Sequence, residues 1–460
     1  MRPETADPGS FRDPSGFVFT RGEELLRQVN LSYRDEYDHL LRSGLYANLV
    51  EGGLLVPHEE ESDLGAAAAP GAYKVLRPRR VEFVSYPYEW CFGQLQRAAL
   101  TTLEIQRRAL DHGMVLKDAS AFNVQFHEGR PVLIDTLSFE RLGEGAPWIA
   151  YRQFCQHFLA PLALVSRVAP GLSGLLRSEI DGLPLDLASR LLPRRTWLSP
   201  GLLAHLHLHA RAQRRWAGEA APRPQRGMSL HQHRALVDSL RGAVERLTWR
   251  PEGTVWAEYD REHGYSASEE EEKTCVVGRY LEAMEPGPVL DLGANTGRYS
   301  REAAARGRFA VACDFDPAAV ERNYRECVAS GETGVLPLVV DLVNPSPALG
   351  WAGRERADWV SRFRGGCVLA LALVHHLAIA NNVPLPMVAG FLAELGRWLA
   401  VEFVPKSDPQ AQRLLVSRDD VFPDYTREGF ESAFSERFEI LESAPVSQSG
   451  RRIYLMRRRG

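Results

Sequence analysis

Asp291, Gly293, Asn295 and Gly297 stand at alternate positions directly after the apolar Val289 and Leu290. Glycine adopts the positive φ of a tight turn without steric cost, and asparagine is among the residues that best tolerate it. A helical pattern runs on from Tyr299 to Arg306, so the stretch reads as buried strand, tight loop and helix, the opening of a nucleotide site. Further acids close the next apolar runs: Asp314 follows Phe309 to Cys313, and Asp341 follows Gly334 to Val340. Asp314 lies 23 residues beyond Asp291, near the spacing of about 20 for a ribose-binding acid, and a carboxylate can accept both ribose hydroxyl hydrogens. Asp316 is the second choice for that role, and the plain alternative is an Asx turn leading into Pro317. His375 and His376 follow the run Cys367 to Leu373, and Glu402 follows Leu399 to Val401. An imidazole titrating near pH 6.5 can act as a general base; the bland alternative is a cap on the next segment or packing against Trp351.

These residues need a scaffold that gathers them. Apolar runs of strand length alternate with helical patterns such as Pro386 to Leu395, which implies parallel strands joined by right-handed crossovers. Functional residues then collect at the carboxyl ends of the strands, where Asp291, Asp314, Asp341, His375, His376 and Glu402 all fall. The end of the chain, Phe438 to Leu441 and Arg452 to Met456 around Ser447–Gly450, reads as a hairpin. Upstream, Ser268 is expected to cap a helix whose first turn holds Glu269 to Glu272. Trp256 to Tyr259, with Tyr265 and Ser266, are candidates for a lid over the site.

A dinucleotide fingerprint would require glycine at 295 and 298, where the chain has Asn295 and Arg298. Asp291, Gly293 and Gly297 instead match the Asp-x-Gly-x-Gly-x-Gly loop of S-adenosylmethionine (SAM) methyltransferases, with Asn295 at the middle glycine. Residues 250–460 therefore resemble a class I SAM-dependent methyltransferase, whose sheet ends in an antiparallel strand. More narrowly, Asp341 to Trp351, Val374 to Leu377 and Glu402 to Lys406 resemble bacterial proteins of the NoeA nodulation type, and Ile134 to Glu140 extends that likeness into the first half. The resemblance implies SAM bound by Asp291, Gly293, Asn295, Gly297, Asp314 and Asp341, with Asp341 at the adenine amino group. It requires no metal for methyl transfer. His375 or His376 is expected to serve as base where the acceptor is a hydroxyl.

The first half carries a second set. Asp118 is followed by Asn123, and the run Arg130 to Ile134 ends in Asp135. This resembles the catalytic segment of the protein-kinase and aminoglycoside-phosphotransferase superfamily. There the first aspartate orients the acceptor hydroxyl while the asparagine and last aspartate hold Mg²⁺ against nucleotide phosphates. The resemblance implies those roles for Asp118, Asn123 and Asp135, with Mg-ATP as a possible second ligand and Tyr86 to Trp90 as hinge. Leu116-Lys117 stands where many kinases have His-Arg, and Thr136-Leu137-Ser138 follows Asp135 in place of Phe-Gly. A glycine-rich loop is missing, and Lys74 and Arg27 are weak substitutes for the strand lysine. Elsewhere in this half, Gly16 to Val29 reads as a hairpin, Tyr37 to Leu49 as helical, Val81 to Val84 as a short strand, and Cys91 to His112 as a long helix. Gly65 to Gly71 reads as a flexible loop. His205 and His209, four apart, could share a metal, but with no third ligand nearby a polar helix face is the expectation.

A length of 460 residues suits two or three domains. The division expected is a loose tail (1–15), a kinase-like domain (16–216), a linker with a connecting helix (217–250) and a methyltransferase domain (251–460). The fold class is α/β: a C-terminal Rossmann-like seven-stranded methyltransferase sheet, preceded by an α+β kinase-like domain. A net charge of −4 gives no case for nucleic acid. Six scattered cysteines point to neither zinc nor a disulfide framework. Neither an apolar leader nor a membrane span is expected, which suggests a cytoplasmic protein. Three functions follow in order. The first is a methyltransferase for a small-molecule, glycan or lipid acceptor with a kinase-like docking or regulatory domain. A bifunctional methyltransferase and ATP-dependent phosphotransferase comes second, and a non-catalytic scaffold third.

Overall fold

Val289–Leu292 (β9) is buried along its whole length, as a strand covered on both faces must be. It is the third strand of a seven-stranded sheet. The others are Ala310–Asp314 (β10), Val335–Val339 (β11), Gly366–Ala370 (β12), Gly396–Phe403 (β13), Phe438–Pro445 (β14) and Arg452–Arg458 (β15), in the order β11-β10-β9-β12-β13-β15-β14. β9 to β13 run parallel, and β15 pairs antiparallel with β13 and β14. Strand succession runs one way from β9 to β11 and the other way from β12 to β13. The reversal falls between the adjacent β9 and β12, the point at which open α/β sheets bind ligands.

The computed structural model describes residues 6–62, 70–215, 227–251, 267–363, 366–416, 420–446 and 450–460. The chain forms two units, Met1–Arg250 with Ala348–Ala357, and Pro251–Pro347 with Asp358–Gly460. The ten-residue excursion lies inside what the sequence suggested was one continuous C-terminal domain. The proposed lid (256–259, 265–266), most of the 217–227 linker, 65–69 of the glycine loop and 447–449 of the last turn lie outside the described residues.

The N-terminal unit opens with Gly16–Arg21 (β1) and Glu24–Asn30 (β2), the expected hairpin. With His58–Glu60 (β3) and Ala72–Pro78 (β4) they form a sheet ordered β1-β2-β4-β3. The helical run from Tyr37 splits into Arg34–Arg42 and Leu45–Glu51 because Gly44 turns the chain at φ 82°. Phe92–Asp111 is the long helix. Met114–Leu116 (β5) pairs with Phe139–Arg141 (β8), and Val124–His127 (β6) with Arg130–Leu133 (β7).

Local expectations fail in three places. Residues 6–15 are tied down: Asp7 N donates to Val18 O, Val18 N to Ser10 Oγ, and Asn30 N to Ser15 O. Val81 to Val84 forms no strand, and His58–Glu60 (β3) is instead the fourth strand of the sheet. Ser268 does not cap its helix, which runs Ala267–Ala283 and encloses it.

Candidate functional site

The loop after β9 has the backbone its residues permit. Gly293, Asn295 and Gly297 lie at φ 73°, 48° and 84°. A Cβ on Gly297 would come within 2.4 Å of the Asn323 amide, so both φ and space require glycine there. The loop is pinned to the end of β10: Asn295 N and Asp316 N donate to the two Asp314 oxygens, each at 2.9 Å. Asp291 accepts from Ser300 Oγ at 2.7 Å. Burial pushes both carboxyls up to about 6, against the Ser300 bond at Asp291 and the backbone N–H bonds at Asp314. Asp316 turns away to cap the helix Pro317–Ser330 through Ala318 N.

A cavity of about 470 Å³ opens over these strand ends. Asp291, Gly293, Asn295, Asp314 and Asp341 line it, as does His376. Gly297, Asp316 and His375 do not belong to its lining. His375 is fully buried and neither ring nitrogen has a hydrogen-bond partner among the described residues; burial holds its pKa well below the usual imidazole value. The pKa of His376 is lowered to about 4, first by burial and then by the Arg451 charge. Its ring centroid is 4.1 Å from that of His375.

Lys273 and Arg451 also line the cavity and were not singled out in the sequence. Lys273 Nζ donates to Glu402 Oε2 at 2.6 Å, and Arg451 grips Asp408 through two bonds of 2.7 and 2.8 Å. All four side chains are buried, and an acid inside the apolar strand β13 was the only hint that such partners exist. Ala372 is a second unmarked feature: it lines the cavity at φ 50°, a conformation costly for a residue with a Cβ and common at functional sites.

In the N-terminal unit the three noted polar residues converge. Asn123 Nδ2 donates to Ser138 Oγ at 3.3 Å, and Ser138 Oγ donates to Asp135 Oδ2 at 2.8 Å. Asp118 accepts from Ser120 N at 2.9 Å, and its pKa is raised by burial and by the nearby Asp135 charge. Arg27, from β2, stands 2.5 Å from Asp135 Oδ1, which also accepts from Leu137 N. Lys74 is engaged with Glu60 instead. Tyr86 to Trp90 holds a short helix, Pro87–Glu89, closed by the Glu89 side chain accepting from Tyr86 N at 2.9 Å. Of the two histidines four apart, His205 bonds Tyr151 and Ser239, and His209 stacks on the Tyr151 ring. No cluster of metal-ligating residues occurs among the described residues.

No protein-family model matches the chain. It is 35% identical over 463 residues to the nodulation protein NoeA of Rhizobium meliloti (strain 1021), covering 98% of this chain and 95% of that one. Among solved structures, the bifunctional kinase-methyltransferase WbdD overlays 44% of this chain and 41% of its own, at 14% identity and a TM-score of 0.32. Magnesium protoporphyrin IX methyltransferase from Synechocystis PCC 6803, with bound S-adenosylhomocysteine, overlays 44% of this chain and 93% of its own, at 16% identity and a TM-score of 0.31. The N-methyltransferase NodS of Bradyrhizobium japonicum WM9 overlays 42% of this chain and 98% of its own, at 10% identity and a TM-score of 0.30.

Proposed function

The chain belongs to the family of the nodulation protein NoeA, and from that premise we propose that its C-terminal unit is a SAM-dependent methyltransferase for a small-molecule, glycan or lipid acceptor. The observation that carries this is the left-handed loop 293–297, bonded to Asp314 and opening on a cavity lined by three strand-end carboxylates. We read the seven strands as the Rossmann-like sheet of a class I methyltransferase. The residues fit the cofactor. Asn295 Oδ1 is buried without a partner among the described residues, Asp314 suits a ribose diol, and Asp341 suits an adenine amino group. Buried carboxyls with raised pKa complement a ligand that carries positive charge.

SAM, when bound, supplies a methyl group already activated on its sulfonium. The chain's own work is to hold the acceptor atom in line at about 3 Å and to keep water out. His376 is the cavity-lining imidazole. Held neutral by burial and by Arg451, it can accept a hydrogen bond from an acceptor hydroxyl. An imidazole with so low a pKa is a weak base, so His376 serves chiefly to orient that hydroxyl.

For the N-terminal unit, the Arg27–Asp135 pair favours a kinase-like docking or regulatory module over Mg-ATP phosphotransfer. The carboxylate that would hold the metal is already neutralised by a guanidinium. One calorimetric experiment tests both readings. S-adenosylhomocysteine should bind with micromolar affinity, at least tenfold weaker in Asp291→Ala, while Mg-ATP should give no saturable heat. Failure of the first ligand to bind overturns the methyltransferase; tight Mg-ATP binding lost in Asp135→Ala restores the two-enzyme reading.

A further inference from the structure

The cavity has two unlike walls. One comes from the ends of β9, β10 and β11 and carries the carboxylates assigned to the cofactor. The other comes from residues 371–381 and the helix Pro409–Leu415, which packs on the π-helical turn His376–Ala380. Nothing in the cofactor reading uses this second wall.

We propose that the methyl acceptor carries an aliphatic chain, received by the apolar surface that Leu373, Leu377, Ala380 and Leu414 build beside His376 and Asn381, an inference that rests on the methyltransferase reading. Three acceptor chemistries compete for the space. A bare glycan would bring many hydroxyls against a wall whose side-chain polar groups are His376 and Asn381, and Asn381 already donates to His376 O at 2.9 Å. Hydroxyls buried without partners weaken binding. An anionic acceptor would need uncompensated cations. The cavity's Lys273, Arg451 and Arg298 are each matched by an acid, Glu402, Asp408 and Glu270. An alkyl chain needs neither and loses only contact with water. Exposed apolar side chains stand nearby: Val343, in the cavity lining after β11, is 49% exposed, and Val416, next after the 409–415 helix, is 85% exposed.

Octyl glucoside below its micellar concentration, with glucose as the chain-free control, tests this on the full-length protein loaded with S-adenosylhomocysteine. Octyl glucoside should bind and glucose should not. Leu414→Asp and Ala380→Trp should each weaken octyl glucoside at least tenfold while S-adenosylhomocysteine affinity stays within twofold; Leu414→Met should keep both. Leu414 is only partly buried, so a charge there spares the core. Equal binding of glucose and octyl glucoside, or octyl glucoside binding indifferent to both substitutions, overturns the proposal. If S-adenosylhomocysteine fails to bind, the cofactor reading falls, and the same titration of unloaded protein still decides whether the wall takes a chain. Flotation with phosphatidylcholine vesicles separates two sources: vesicle binding lost in Leu414→Asp supports a membrane lipid, and its absence beside octyl glucoside binding supports a free amphiphile.

Discussion

Asp291 and Asp314 hold ionisable groups where water is nearly absent, and this sets function against stability. Burial raises the Asp291 pKa to about 6, against about 3.9 in an unfolded chain. A carboxyl raised on folding contributes stability below its unfolded pKa and loses it as pH rises through the folded value. The folded chain is thus destabilised increasingly between pH 4 and 6 and stays so above. Asp291→Asn removes that charge yet keeps an oxygen for Ser300 Oγ. Its unfolding free energy should exceed the parent's by about 3 kcal/mol at pH 8 and match it at pH 4, as urea titrations at the two pH values would report. The same variant should bind SAM at least tenfold more weakly. A variant less stable than the parent at pH 8 would mean that the carboxylate is stabilised by something other than the groups around it here.

The loop between β9 and the helix Arg298–Ala304 divides its glycines into two kinds. At Gly293 an added Cβ meets nothing closer than 3.5 Å, so Gly293→Ala costs only its left-handed backbone, about 1 kcal/mol. At Gly297 the Cβ collides with Asn323, which Arg301 holds at 3.0 Å, so the helix start must shift. Gly297→Ala should cost about 3 kcal/mol and lower the melting temperature well beyond Gly293→Ala; equal losses would mean that Asn323 moves freely. Much at this scale was legible. Apolar runs closed by acids (β9, β10, β11, β13) or by the histidine pair (β12) marked the five parallel strands, and the alternation Asp-x-Gly-x-Asn-x-Gly marked the turn. Three features left no trace in periodicity. The π-helical turn His376–Ala380 adds a residue to its turn, and His376, not His375, lines the cavity. Ala372 at φ 50° carries no compositional mark. Lys273 and Glu402 meet across 129 positions, and Arg451 and Asp408 across 43; only tertiary structure pairs them.

At the scale of the whole molecule, the two units carry buried ionisable groups of different acid response. In the N-terminal unit, burial lowers His58, His157 and His205 to about 4 and also lowers His207 and His209. A histidine depressed on folding contributes stability above its unfolded value of about 6.5 and loses it as pH falls towards the folded value. Glu104, held down to about 2 by Arg107, extends the loss further into acid; Asp118 and Glu140, raised by burial, work the other way. The C-terminal unit has depressed histidines too, His375 and His376, but Asp291 and Asp314 offset them, since their burial penalty is relieved as pH falls from 6 to 4. Several kcal/mol separate the two responses, comparable with the stability of a domain. Acidification from pH 7 to 5 should therefore loosen the N-terminal unit first. Hydrogen exchange read by mass spectrometry should lose protection in Ala160–Arg167 and His209–Arg215, beside His157 and His205, while β9, β10 and β12 stay protected. Calorimetry over the same range should show one transition moving down faster than the other. Earlier loss of protection in the C-terminal sheet would mean that its two buried carboxyls do not offset its histidines, and would place their protons elsewhere in the apo state.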